Sequence, residues 1–421
     1  MTANTVRDAF GRLPEELRIQ IIKSSPDPWS LWSLTYASPV MGRVLDRYPL
    51  EILEVVLDAA VPTTTRRLMY ALLKVRLQRF PASLAEAKEV AIAEVTEVTD
   101  DMRSFPLDRA AEAVRYLLAT AENVHTWSHA CLEHLIQKSL DMRPSTIIEQ
   151  GRSSSLWEIF GNAESRKDFL PQCTGPPSWV EEQRMIKAFW QLQFILELQD
   201  AGNKGRLSSH WSGQEVDVLS NINVDCFYVH RSYIGPTHFE GHQILTASEF
   251  LGAVTSGTIT SVEAFGNDAY GLPTIHWTRV PAPRCSCAQP LFFERNSKQD
   301  RFQQGIEHLE GPPRSITMWN LMSSEPLDGQ PYLWNIPFDP FRKFGFAIWD
   351  NQRMVDLGMR SGNPRSLLGA YPRDCFRWWS ILTEEEIGFF KELQRMREIL
   401  KCEIPYVYTP DPWNPDPLAD G

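Results

Sequence analysis

The sequence predicts a mainly α-helical protein, with a small three- to four-helix module at the N-terminus, an irregular α-helical body and little β-structure. Three observations predict this fold class. Prolines stand at positions suited to helix starts in the first 60 residues, apolar residues recur at helical spacing over much of the rest, and two capping boxes precede apolar runs. We therefore divide the chain into residues 1–60 and residues 61–421.

The first 60 residues carry the clearest helix signals. Proline suits the first helical position because its missing N–H would have no partner there, and Asp27 and Ser38 are good N-caps before two of these prolines. The prolines at issue are Pro14, Pro28, Pro39 and Pro49. They predict four short helices near 14–23, 28–37, 39–47 and 49–60.

The first two of these helices are apolar around most of their circumference. A surface helix usually shows a narrower apolar stripe. Such a helix is therefore either buried by its own chain or covered by a partner, and the sequence leaves both interpretations open. The apolar residues are Leu13, Leu17, Ile19, Ile21 and Ile22 in the first helix, and Trp29, Leu31, Trp32, Leu34 and Tyr36 in the second.

The same segment resembles an F-box over about residues 10–57. Leu13-Pro14-Glu15-Glu16-Leu17, followed by Ile19, Ile21 and Ile22, looks like the opening of that motif. Leu31 and Leu34, then Ala37-Ser38-Pro39-Val40 with Val44 and Leu45, resemble its second and third helices. The continuation Glu51-Ile52-Leu53 is similar to the variant found in F-box-like proteins of filamentous fungi.

This resemblance implies a substrate receptor of a cullin–RING ubiquitin ligase. The module would bind a Skp-type adaptor, and the body would present an unknown protein substrate. Such a protein acts by raising the effective concentration of its target, without bond chemistry or a cofactor. The residues that the resemblance assigns to the adaptor contact are Leu13, Pro14, Leu17, Ile21, Leu31 and Leu34.

The body is predicted from helical periodicity and caps. A capping box at Ser178 and Glu181 opens a core helix that we expect to end at Gly202, and another at Thr383 and Glu386 opens the last helix. We expect a loop-rich stretch near 150–177 and an extended, proline-rich tail over 403–421. Further helices are predicted near 66–79, 83–98, 107–120, 123–140, 213–220 and 246–265.

Composition excludes several classes of protein. The chain has 42 Lys and Arg against 53 Asp and Glu, a net charge of −11, which argues against a general nucleic-acid binder. We expect no membrane association, since no uncharged apolar run reaches the roughly 18 residues of a membrane span. Seven Cys, an odd number in a long chain, predict a reduced protein of the cytoplasm or nucleus.

The usual catalytic and nucleotide-binding motifs are absent from the sequence, and we expect no catalytic, cofactor or metal site. Three hypotheses follow: an F-box-like substrate receptor, a helical interaction scaffold that keeps the fold without adaptor binding, or an enzyme centred within 203–350. The third would need convergence of the best metal-ligand candidates, which are a poor match to zinc spacing. These candidates are His238, His242, His276, Cys285 and Cys287.

Overall fold

A computed structural model describes the chain in separate stretches. These are residues 8–78, 80–92, 107–147, 166–172, 175–221, 224, 227, 238–258, 262–265, 274–277, 309, 311–323, 336–359 and 378–403. Within them the chain forms fourteen α-helices and four short strands. The mainly α fold with little β-structure is therefore confirmed. The predicted tail after Glu403 lies outside the described residues.

The N-terminal helices begin where the prolines and caps predict. The Asp27 carboxylate accepts a hydrogen bond from the Ser30 N–H at 2.6 Å, and the Ser38 hydroxyl accepts one from the Met41 N–H at 3.2 Å. Pro14 differs slightly, because it occupies the N-cap position rather than the first turn. The helices are α1 (Glu15–Lys23), α2 (Pro28–Ala37), α3 (Pro39–Arg47) and α4 (Pro49–Ala60), and a short 3-10 turn, Ala9–Arg12, precedes them.

The body contains ten further helices. They are α5 (Thr63–Gln78), α6 (Leu84–Ile92), α7 (Leu107–Asp141), α8 (Trp179–Asn203), α9 (Gly213–Asn221), α10 (His238–Thr255), α11 (Arg314–Ser323), α12 (Asp339–Arg342), α13 (Asn351–Asp356) and α14 (Glu384–Glu403). A 3-10 turn, Trp378–Ile381, stands before α14. The strands pair as two antiparallel ladders, β1 (Ser145–Ile147) with β2 (Arg166–Asp168) and β3 (Val262–Phe265) with β4 (Thr274–Trp277).

Helix α8 is the centre of the body. Both bonds of its predicted capping box are present, since the Ser178 hydroxyl accepts from the Glu181 N–H and the Glu181 carboxylate accepts from the Ser178 N–H. Helices α5, α7, α9 and α10 pack around it, and almost its whole length is buried. The prediction of a core helix here is confirmed, although the helix passes Gly202 and its left-handed turn residue is Gly205, at φ +63°.

Burial of α8 includes charged side chains, and several of them bond to the body. The Glu181 carboxylate, with no exposed surface, accepts from Arg353 Nε at 2.9 Å and from the Asp350 N–H at 3.0 Å. Arg184 Nη1 donates to the Ile348 carbonyl at 2.9 Å, and burial lowers the pKa of Arg184 to about 10. Breaking one partner of such a pair would leave an unpaired buried charge.

Several predicted boundaries are wrong. The two helices predicted over 107–120 and 123–140 are one helix, α7, because Ala121 and Glu122 between them are good helix formers. The helix predicted over 246–265 begins at His238, and its last predicted residues form β3. Part of the stretch predicted as loop near 150–177 forms β2, and 148–165 lies outside the described residues.

The buried apolar side chains form one continuous cluster that runs from the N-terminal helices into the body. It includes Ile22 and Leu31 near the start of the chain and Phe390 near its end. Helix α7 makes the connection, because it contacts α2, α3 and α4 as well as α5 and α8. The N-terminal module is therefore packed onto the body.

Candidate partner-binding surface

Helix α1 has one edge in the core and another edge in solvent. Leu17 and Ile21 are four residues apart, which puts them on one face of α1, and Leu13 lies in the extended residue pair just before the helix. Leu17 is 45% exposed, while Leu13 and Ile21 are half-buried and Pro14 is exposed. Ile22, the next residue along, is completely buried. Helix α1 is thus anchored through Ile22, while Leu17 remains partly uncovered.

Two polar contacts orient α1 on the neighbouring helices. The Glu15 carboxylate accepts from Arg47 Nη1 at 2.8 Å and from the Tyr48 hydroxyl at 3.3 Å, and Lys23 Nζ donates to Glu51 at 2.5 Å. Ion pairs at a surface contribute little stability individually. Their effect here is to hold α1 against α3 and α4, so that the exposed Leu17 side chain keeps its position.

Helix α2 is covered largely by the body. The Trp29 ring stacks on His125 of α7, with ring centroids 4.2 Å apart and planes 8° from parallel. The Trp32 side chain donates to the Glu122 carboxylate, whose pKa is nevertheless raised because burial outweighs that bond. Leu31 has no exposed surface. Most of the apolar circumference that the sequence left open is thus taken up by the same chain.

The two histidines beneath α2 are neutral, and His129 is buried while His125 is half-buried. His125 and His129 of α7 lie with ring centroids 4.3 Å apart, edge to face. Burial lowers the pKa of His125 to about 2, with His129 as a second cause, and burial lowers the pKa of His129 to about 4. Near neutral pH both rings are therefore uncharged, and they serve as packing surfaces between the module and the body.

The last turn of α2 carries the most exposed large side chain of this helix. Leu34 is half-buried against the core, while Tyr36 is 82% exposed, and the Tyr36 and Trp32 rings lie 6.3 Å apart. Tyr36 belongs to the apolar set of this helix, but the F-box resemblance does not assign it to the adaptor contact. A large aromatic side chain in the final turn, beyond the residues that pack inward, is the signal that could have identified it.

Five of the six predicted contact residues retain exposed surface. Leu31 is the exception: it lies entirely in the core and stabilises the packing of α2, so it offers nothing to a partner in this conformation. We use the term apolar edge for the five accessible predicted residues together with Tyr36. They are Leu13, Pro14, Leu17, Ile21, Leu34 and Tyr36.

The candidates for an enzyme centre are only partly described. His242 is buried, with its Nδ1 3.3 Å from Arg342 Nη1 and its ring 4.7 Å from that of Phe338. This is a packed, hydrogen-bonded core environment. Cys285 and Cys287, and the side chains of His238 and His276, lie outside the described residues. Within the described part of the chain, no three His, Cys, Asp or Glu side chains are grouped to hold a metal ion.

Comparisons with known proteins add nothing to the F-box resemblance, which rests on the residues quoted above. No protein-family model, no curated protein and no solved structure matches this chain. Among the described helices, none combines the length and the apolar character needed to cross a membrane.

Proposed function

We propose that this chain is an F-box-like substrate receptor, whose N-terminal module binds a Skp-type adaptor and whose helical body presents a protein substrate. It would act in the cytoplasm or nucleus by holding its target near a ubiquitin ligase, without chemistry of its own. The observation that carries the proposal is the apolar edge, which lies on the helices that resemble the F-box.

The apolar edge has the character of an interface centre. Binding energy at protein interfaces is concentrated in a few apolar or aromatic anchors, and a stable interface buries roughly 1,200 Å² or more in total. Leu17 and Tyr36 are the most exposed large apolar side chains of the module. They are the anchors that we expect a partner to cover, together with the other accessible residues Leu13, Pro14 and Ile21.

The second candidate is a helical interaction scaffold that keeps the fold and does not bind the adaptor. The observation that favours it is the coverage of α2 by α7, through Trp29, Leu31 and Trp32. An adaptor that required those side chains could not contact them while α7 covers them. The two candidates therefore differ in whether α1 and the last turn of α2 suffice for binding.

A binding measurement with the full chain separates the candidates. We would titrate a purified Skp-type adaptor into the wild-type chain and into the double variant Leu17→Asp with Tyr36→Ala, using calorimetry. Loss of an anchor costs about 2 kcal/mol or more, so the variant should bind at least about thirtyfold more weakly. Leu17 is 45% and Tyr36 82% exposed, so neither side chain lies in the core and the variant should melt close to the wild type.

The matched control is Val218→Asp on α9, since Val218 is also 45% exposed and apolar. It should leave adaptor affinity unchanged. Failure of the wild-type chain to bind the adaptor would reject the receptor proposal and favour the scaffold. Equal weakening by Val218→Asp would show that the effect of the double variant is not specific to the apolar edge.

A further inference from the structure

A cavity of about 300 Å³ opens in the body between α5, the first turns of α7 and the turn after α8. Its lining is unusual for its charge, because three arginines reach it from three different elements. They are Arg76 of α5, Arg109 of α7 and Arg206 after α8, and the one acidic residue in the lining is Glu112. The rest of the lining is apolar apart from Tyr116 and Gly205.

The inner wall of this cavity is held in place by a buried carboxylate. Glu197, with no exposed surface, lies 3.0 Å from Arg76 Nε and accepts from the Tyr116 hydroxyl at 2.8 Å. The Arg76 guanidinium lies over the Tyr116 ring, 3.1 Å from its centroid. Burial, followed by the charge of Glu197, raises the pKa of Tyr116 to about 12, so its hydroxyl remains a donor. These contacts fix the cationic wall before any ligand arrives.

Two arginines have hydrogen-bonding capacity left over. Arg206 contacts Glu197 and Asp200 through Nη2 alone, so its Nε and Nη1 have no partner among the described residues. Arg109 is exposed and makes no ion pair within the described part of the chain. Gly205, at φ +63°, allows the turn that brings Arg206 to the cavity. Open guanidinium groups on facing elements are suited to an oxyanion.

We propose that this cavity binds a phosphoryl group, either as free phosphate or as a phosphate ester. One guanidinium fork can engage both oxygens of a carboxylate, whereas a phosphoryl dianion has three acceptor oxygens, so a second fork from another element can reach an oxygen of its own. The cavity is also larger than a bare carboxylate requires. Glu112 also lines the cavity, and its negative charge repels an anion. Removal of that charge should therefore strengthen phosphoryl binding, whereas removal of the Arg109 charge should weaken it.

The test uses the full chain and calorimetric titration with three probes: inorganic phosphate, phosphotyrosine amide and succinate. Arg109→Gln should weaken phosphoryl binding about tenfold, the effect of one charge-assisted hydrogen-bonding group. Glu112→Gln should strengthen it by about two- to fivefold, as expected for one exposed like charge. The matched controls are Arg395→Gln and Glu392→Gln on α14, an exposed Arg and Glu also three residues apart, and neither should change the affinity.

Binding of phosphotyrosine amide more tightly than inorganic phosphate would assign the site to phosphate esters, and the reverse order would assign it to the free anion. Both results support the proposal. Succinate binding as tightly as phosphate would overturn it. So would the absence of phosphate binding in the wild type, an unchanged affinity in Arg109→Gln, or equal changes in the α14 controls. None of these results depends on whether the chain binds an adaptor.

Discussion

Replacement of Gly345 by alanine tests the packing around the buried Trp349 ring. Gly345 has φ +77°, where an alanine costs about 1–2 kcal/mol. Its new Cβ would also overlap the indole ring of Trp349, which is completely buried. That ring cannot easily move, because its Nε1 donates to the Phe344 carbonyl at 2.6 Å and to the Ser139 hydroxyl at 3.1 Å. Overpacking of this kind costs about 1–3 kcal/mol, so Gly345→Ala should lose about 2–5 kcal/mol of unfolding free energy.

The matched control is Gly257→Ala, which separates backbone strain from the clash. Gly257 has φ +75°, and a Cβ there would meet nothing within 4 Å. It should cost only the backbone share, about 1–2 kcal/mol. Urea unfolding followed by circular dichroism measures both variants. Equal losses at the two positions would refute the packing that we describe around Trp349.

Two further predictions concern buried charge and pH. Arg353→Met should cost about 3–5 kcal/mol in urea unfolding, because it leaves the Glu181 carboxylate buried without its cation; a loss below 1 kcal/mol would contradict the buried pair. His129, 5% exposed, has a folded pKa of about 4 against an ordinary 6.5, so the folded state binds the proton less readily than the unfolded state. The free energy of unfolding is therefore at its full value above pH 6.5, and the contribution of His129 lowers it by about 3 kcal/mol as the pH drops to 4. His129→Gln should remove that part of the pH dependence, and an unchanged profile would argue against burial of His129.

The sequence predicts those parts of the fold that depend on local chemistry. Asp27 and Ser38 act as N-caps, and the boxes at Ser178 and Thr383 close as predicted, because a cap is a bond between residues three positions apart. Such interactions depend little on the rest of the chain. The starts of α2, α3, α8 and α14 were therefore predictable, and Pro49 at the first helical position indicates the start of α4.

Features that depend on distant contacts could not be predicted in this way. The coverage of Trp29 requires His125, nearly a hundred residues later, and nothing in either local pattern indicates the other. The cavity arginines likewise come from positions 76, 109 and 206, so no local sequence motif contains all three. Helical spacing is also a poor guide to burial in the last helix, where Phe389 and Met396 are seven residues apart and apolar but exposed.

The packing of the module onto α7 limits how any partner could use it. Because Trp29 stacks on His125 and Arg115 of α7 contacts Asp46 of α3 at 2.6 Å, the module and the body share one core and one surface. A protein bound at the apolar edge would therefore hold the body, and any substrate on it, in one orientation. A fragment ending at residue 60 would expose the α2 face that α7 normally covers, so we expect it to unfold or aggregate. Loss of adaptor binding in that fragment would then report on folding, which is why the measurements above require the full chain.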